Sequence, residues 1–279
     1  MATIAHLTDL HLVENNYAHR RFESRARLQY LSFGRPLAPA ARGNRVASAL
    51  RAVRLRDVDH LLITGDLTED GHPDQFEVLA ELLAESRIPP ERVTLVPGNH
   101  DAYIDPDGFA KALVGPLRPY AVASSVATAL RFRDVTIVPV STAFQQSPLR
   151  SAGAIASHEL ASLASIATDP SLAGRPIVFA QHHPPGAAFI PLVQWLDGLT
   201  EHSALSDLFR RCPHLHVMHG HTHRCSDKSA CKGEAARVFS ARAVVDSAWP
   251  LRLYEASPLG VRPLEAEPIA SCEPLALPG

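Results

Sequence analysis

Several things are scarce in this 279-residue sequence, and each scarcity removes a class of protein. No apolar run approaches the roughly 18 consecutive residues that a bilayer-spanning helix needs. The opening, MATIAHLTDLH, has no basic stretch and reaches a polar cluster by Asp9, so it does not read as a secretory leader. Cysteine is limited to Cys212, Cys225, Cys231 and Cys272, without CxxC spacing. A zinc knuckle is therefore disfavoured, and the plain reading is reduced thiols in a cytoplasmic protein, with a Cys225–Cys231 disulfide left open. A charge excess is missing too. The formal net charge is -2, which gives no electrostatic case for duplex nucleic acid or a membrane surface. Internal repeats and low-complexity blocks are absent.

What is present is a chain that is 46% hydrophobic, enough for one large core, with 15 His and 23 Pro. Five segments share one pattern, a short apolar run broken by Asp, His or Asn. They are TIAHLTDLH (3–11), HLLITGD (60–66), VTLVPGNHD (93–101), PIVFAQHH (176–183) and HLHVMHGHTH (214–223). Short apolar runs bounded by Gly and Pro predict buried strands. Amphipathic helices are predicted between several of them. Val46, Ala49, Leu50 and Val53 follow helical spacing, as do Phe76, Leu79, Ala80 and Leu83 after Pro73. Weaker helical patterns occur at SHELASLASIA and SALSDLFRR. Strands alternating with helices imply an α/β fold with a largely parallel sheet, whose ligands bind beyond the carboxyl ends of the strands. Each polar cluster falls at such an end, so all five are expected on one rim.

A sixth strand, VTIVPVST (135–142), ends without a metal-ligand cluster. ARVFSARAVVD and LRLYEA predict further strands. One domain is expected over 1–256, followed by a Pro-rich tail over 257–279. Residues 12–45 form an Arg-rich insertion, with Arg20, Arg21, Arg25, Arg27, Arg35, Arg42 and Arg45 and few acids. A lid that attracts anions and a solvated insertion or dimer contact are equally compatible with that composition.

The clusters collect Asp9, His11, Asp66, Asn99, His100, His182, His221 and His223. Carboxylate, imidazole and amide oxygen together suit borderline divalent metals such as Mn, Fe, Zn or Co. Asp9 and His11 alternate along an extended chain end, so both are expected to face one site, and His221 and His223 likewise. Asp66 has two oxygens and can bridge two metals, the usual device for attack on phosphate esters. Two divalent ions bring four positive charges, of which Asp9 and Asp66 offset two, leaving a surplus suited to an anionic substrate. Each cluster alone has a plainer explanation: a helix cap at Asp9, a turn at Gly98-Asn99, a chance HxH pair. All five at equivalent strand ends do not. His6, His183 and His219 are candidates for partners behind the ligands rather than ligands themselves.

In order, D-x-H (Asp9, His11), G-D (Gly65, Asp66), G-N-H-D (Gly98 to Asp101), H-H (His182, His183) and G-H-x-H (Gly220 to His223) resemble the calcineurin-like metallophosphoesterase family. The resemblance implies a four-layer α/β/β/α sandwich with a dinuclear centre at the strand ends and a second sheet from the later strands. It implies that Asp9, His11, Asp66 and His223 hold one metal, and that Asp66, Asn99, His182 and His221 hold the other. Hydrolysis would proceed by in-line attack of a bridging hydroxide on phosphorus, Asp66 joining the metals. His100 would not ligate but would assist the leaving group, with Glu69 or Asp101 as its support. The stretch GDLTEDG places Glu69 and Asp70 where phosphoprotein phosphatases carry an Asp-Arg pair, which argues against a protein phosphatase. His100 stands where lipid A precursor hydrolases usually have Arg. GNHD with HHPP and GHTH is most similar to bacterial class III cyclic nucleotide phosphodiesterases. The expected substrate is thus a small phosphodiester or nucleotide, with a homodimer as an option. The alternatives are a phosphomonoesterase, a nucleotide-sugar or lipid-precursor pyrophosphatase, and a non-catalytic scaffold.

Overall fold

The structure, a computed structural model, describes residues 1–230 and 235–264. Its strands are β1 (Ala2–Leu7), β2 (His60–Thr64), β3 (Val93–Val96), β4 (Leu130–Phe132), β5 (Val135–Pro139), β6 (Ile177–Ala180), β7 (Leu215–His219), β8 (Ser226–Ser229), β9 (Arg237–Ser240), β10 (Arg252–Ser257) and β11 (Gly260–Leu264). They form two sheets, ordered β11-β10-β1-β2-β3 and β4-β5-β6-β7-β9-β8. Neighbours among β1, β2 and β3 are parallel, as are neighbours among β5, β6, β7 and β9. Every residue of β2, β3, β5, β6 and β7 is buried. That is why these strands read as unbroken apolar runs rather than as alternating ones.

Three apolar layers separate four structural ones. Between the sheets, Ile4, Leu62 and Val96 pack with Val135, Ile137, Val178, Met218 and Phe239. Behind the first sheet, Leu50 and Val53 of helix Pro39–Leu55 and Phe76 and Leu79 of helix Pro73–Ser86 cover Leu61 and Ile63. Behind the second, Leu163 of helix Ser157–Ala167 and Leu205 and Phe209 of helix His202–Arg211 cover Phe179 and Val217. The sequence is helix layer, sheet, sheet, helix layer: the α/β/β/α sandwich.

Two details depart from the sequence reading. The later strands do not all build the second sheet. β10 returns to the first and pairs antiparallel with β1 (Ala2 opposite Ala256), because Tyr254 and Ala256 fill the inter-sheet layer. The segment read as a tail from Ser257 contributes β11, whose Val261 is buried. Residues 265–279 of that segment lie outside the described residues. Among the described residues, no helix is long and apolar enough to cross a membrane, and Cys212 and Cys225 are free thiols; Cys231 and Cys272 lie outside them.

Candidate metal centre

Parallel register brings the strand ends level: Leu7 lies opposite Ile63, Thr64 opposite Val96, and Ala180 opposite Met218. The loops that follow β1, β2 and β3 in one sheet, and β6 and β7 in the other, therefore open onto one rim. Val244 N and Val245 N, just after β9, donate to Thr8 O and Asp9 O at 3.0 and 3.2 Å, and two side-chain bonds also join the sheets there. His182 Nδ1 donates to the Thr64 carbonyl at 3.0 Å, and His221 N donates to Asp9 Oδ1 at 3.2 Å.

Convergence does not come from strand alternation, as expected above. β1 stops at Leu7 and β7 at His219. Beyond them the chain turns left-handed at chosen residues: Asp9 (φ 54°), His11 (49°), Asp66 (47°), His221 (68°) and His223 (54°). These side chains carry a Cβ, so each such conformation is strained by about 1 kcal/mol or more. Backbone bonds from Asp9 N to Gly65 O (3.1 Å) and from His11 N to Asp66 O (2.9 Å) hold it. Glycine makes room beneath the donors. A Cβ on Gly98 would lie 2.3 Å from Asp66 Oδ1 and 2.4 Å from Asp66 N.

The hydrogen-bond partners determine which atom each side chain presents. Tyr103 Oη donates to Arg150 O (2.9 Å), so it must accept from Asn99 Nδ2 (2.9 Å), which turns Asn99 Oδ1 toward the site. His182 spends Nδ1 on Thr64, leaving Nε2 3.3 Å from Asp66 Oδ2. His223 spends Nδ1 on Asp246 Oδ2 (2.5 Å) and directs Nε2 to within 3.5 Å of Asp9 Oδ1. His221 spends Nε2 on Asp197 Oδ1 (2.8 Å), leaving Nδ1. Donor atoms of Asp9, His11 and His223 lie within 4.8 Å of one another, as do those of Asp9, Asp66 and His182. Asp9 Oδ2, both ring nitrogens of His11, Asn99 Oδ1 and His182 Nε2 are all buried without a hydrogen-bond partner. Five such orphans on one rim are costly unless a ligand satisfies them, and carboxylate, imidazole and amide oxygen are the donors a divalent cation takes. The residues fit a metal.

The remaining candidates behave differently. His183 uses both ring nitrogens, Nδ1 with Thr142 Oγ1 (2.7 Å) and Nε2 with Ser151 O (2.8 Å), so it braces the neighbouring rings and has no free lone pair. His6 is tied to Thr64 Oγ1 and His219 to Gly220 O. Asp101 accepts from Leu67 N, Thr68 N, Thr68 Oγ1 and Gly98 N, stitching the β2 loop to the β3 loop. His100 Nδ1 bonds the backbone carbonyl of Glu69 at 2.6 Å, and its Nε2 stands 4.0 Å from Asp66 Oδ2. The Glu69 side chain turns the other way, to His11.

Electrostatics follow from two buried carboxylates among imidazoles. Burial pushes Asp66 upward, but His182 and His100 hold it well below the usual carboxylate range; Asp9 is likewise lowered against burial, by His223 and His182. In return, His182 and His223, which burial would lower, are lifted to about 9 by Asp66 and Asp9 respectively. Burial drives His11 down to about 4 despite Glu69, and pushes Asp101 up to about 6 with help from Asp66. The buried carboxylates thus create a demand for positive charge on this rim.

Tyr103, Thr142, Asp197 and Asp246 were not found from sequence. Tyr103 lies one helical turn after Asn99, a legible spacing. Asp246 ends the apolar run AVVD, the same signal as the five clusters. Thr142 likewise ends the apolar run VTIVPVST, whereas Asp197 has no local mark.

A family model described as Calcineurin-like phosphoesterase matches residues 2–225. A probable cyclic nucleotide phosphodiesterase of Rhodopseudomonas palustris is 34% identical over 130 residues, 46% of this chain and 43% of that protein. Another of Rhodococcus erythropolis is 28% identical over 224 residues, 79% of this chain and 64% of that protein. The chain thus aligns with less than two thirds of the length of either relative. Among solved structures, a dimetal phosphatase from Danio rerio superposes with a TM-score of 0.63 at 12% identity, covering 94% of this chain and 98% of that one. A purple acid phosphatase from yellow lupin gives 0.54 at 10% identity, covering 91% and 49%. These two likenesses speak to the fold.

Proposed function

Because the chain belongs to the calcineurin-like phosphoesterase family, we propose that it is a metal-dependent phosphodiesterase acting on small phosphodiesters, cyclic nucleotides foremost. The observation that carries this reading is the set of orphaned donors on one rim with His100 beside them. Asp9, His11, Asp66 and His223 would hold one divalent cation, and Asp66, Asn99, His182 and His221 a second, drawn from Mn, Fe, Zn or Co. Such a pair supplies an acidified water and positive charge for the phosphate. The chain's own residues do the rest. Asp9 and Asp66 supply the only anionic groups among these donors, so the loaded site keeps a positive surplus for a phosphodiester anion. His100 is fixed through Nδ1 on Glu69 O, which leaves Nε2 to hold a proton for the departing oxygen. Glu69 and Asp70 are fully buried and paired with arginine, so this loop offers no side chain to grip a phosphate. The naming of both relatives as probable cyclic nucleotide phosphodiesterases supports the choice of substrate class.

The test is a substrate panel on metal-analysed protein: bis(p-nitrophenyl) phosphate, p-nitrophenyl phosphate and cyclic nucleotides, each with Mn, Fe, Zn and Co. Diester and cyclic nucleotide cleavage above monoester cleavage is expected. Failure on every diester with every metal would sink the reading.

A further inference from the structure

Two features of the sequence remain without a role: the Arg-rich insertion and the acidic pair of GDLTEDG. The structure joins them. Asp70 receives Arg20 through Nη1 (2.6 Å) and Nη2 (3.2 Å), while Arg20 also grips Glu14. Glu69 receives Arg35 Nη2 (2.9 Å) and Ser32 Oγ (2.8 Å) on Oε1, and Arg42 Nη1 (2.5 Å) on Oε2. These arginines are spent on buried acids, and Arg42 is itself only 4% exposed.

Arg42 reaches one step further. The same Nη1 donates to the backbone carbonyl of His11 at 2.8 Å. On the other side, Glu69 Oε2 lies 3.1 Å from His11 Nδ1, off the ideal hydrogen-bond line. His11 is thus held at its main chain by Arg42 and at its ring by the carboxylate Arg42 anchors. A carboxylate beside Nδ1 favours the proton there and leaves Nε2, one of the orphaned atoms, with its lone pair.

We propose that Arg42, acting through Glu69, is a positioning residue that presents His11 Nε2 to one of the two cations, so that the Arg-rich insertion is a brace for the metal centre. This rests on the proposed function, since it assumes that His11 is a ligand. The reason for the acid at position 69 is then local. An arginine from the insertion and a histidine from the β1 loop need one shared counterion, and a neutral side chain could not hold both.

The test is titration of metal-free full-length chain with Mn²⁺, followed by calorimetry and by electron paramagnetic resonance of free Mn²⁺. Removing Arg42 alone would strand a buried carboxylate, so the variant is the pair Arg42→Met with Glu69→Gln. The control is Arg20→Met with Glu14→Gln and Asp70→Asn, which cuts the same insertion loose from its other two acids without touching His11 and strands no buried carboxylate. The first pair should weaken one of two binding steps by about 10–100-fold and leave the other unchanged. The control should leave both unchanged. Equal loss of both steps, loss of neither, or the same loss in the control would overturn the proposal. A wild-type chain that takes up no Mn²⁺ would overturn the proposed function itself, and the positioning role with it.

Discussion

His100 and Asn99 are neighbours in sequence with separate proposed tasks, and the separation is set by what each side chain leaves free. His100→Ala should keep its metal, because the proposed assignment leaves His100 out of both ligand sets although its ring lies within ligand distance of His11 and Asp66, and should lower turnover by about 10²–10⁴. Activated leaving groups should suffer least, since p-nitrophenolate departs without a proton. Metal analysis of the variant beside its rates checks both halves, and loss of metal would make His100 a ligand. Asp66→Ala should do the reverse and lose metal, as His11, His182 and His100 all lie within 4.0 Å of its Oδ2. Asp197→Asn should lower metal affinity by about 10–100-fold with little change in melting temperature, because its Oδ1 fixes the His221 ring from a half-exposed position. The residues that meet on the rim were legible in the sequence, since a polar cluster at the end of an apolar run is a one-dimensional sign. Their partners were mostly illegible. Whether an Asp meets a His ring across 24 residues, as Asp197 does, depends on loop geometry that no spacing rule encodes.

At the scale of elements, the strands and amphipathic helices were readable because burial on both faces of a sheet, or on one face of a helix, leaves a repeating trace. The conformation of the loops was not. Alternation along an extended strand gave the right partners for a wrong reason, and the left-handed residues at Asp9, His11, Asp66, His221 and His223 carry no compositional warning. Glycine gave the better clue. Gly98→Ala would drive a methyl against the Asp66 backbone nitrogen as well as its carboxylate, and backbone cannot swing aside. The variant should retain native far-ultraviolet circular dichroism while losing most of its metal, which spectroscopy and metal analysis on one sample will show. A fully loaded Gly98→Ala protein would mean that the β2 and β3 loops are looser than their shared hydrogen bonds to Asp101 indicate.

The whole molecule carries its own titration. His60, bonded to Thr94 Oγ1 between β2 and β3, and His216, which accepts from Arg237 N, are both lowered to about 4, first by burial. Both lie away from the metal centre. Since each binds its proton less well folded than unfolded, stability is full above about pH 6.5 and falls as pH drops through that value toward 4. The loss is about 3 kcal/mol for each residue at most. Thermal melts of metal-free protein between pH 7.5 and 4.5 should show it, and His60→Gln with His216→Gln should flatten the slope. The pairing of β10 with β1 has a consequence in time. In the strand that leads to Asp9 and His11, Ala2 waits for Ala256, far along the chain, before its open side is filled. At ordinary synthesis rates that wait is on the order of ten to fifty seconds. For that interval β1 keeps one unpaired edge. The first sheet is therefore complete only once β10 has been made, which ties the setting of the β1 loop to a strand far along the chain.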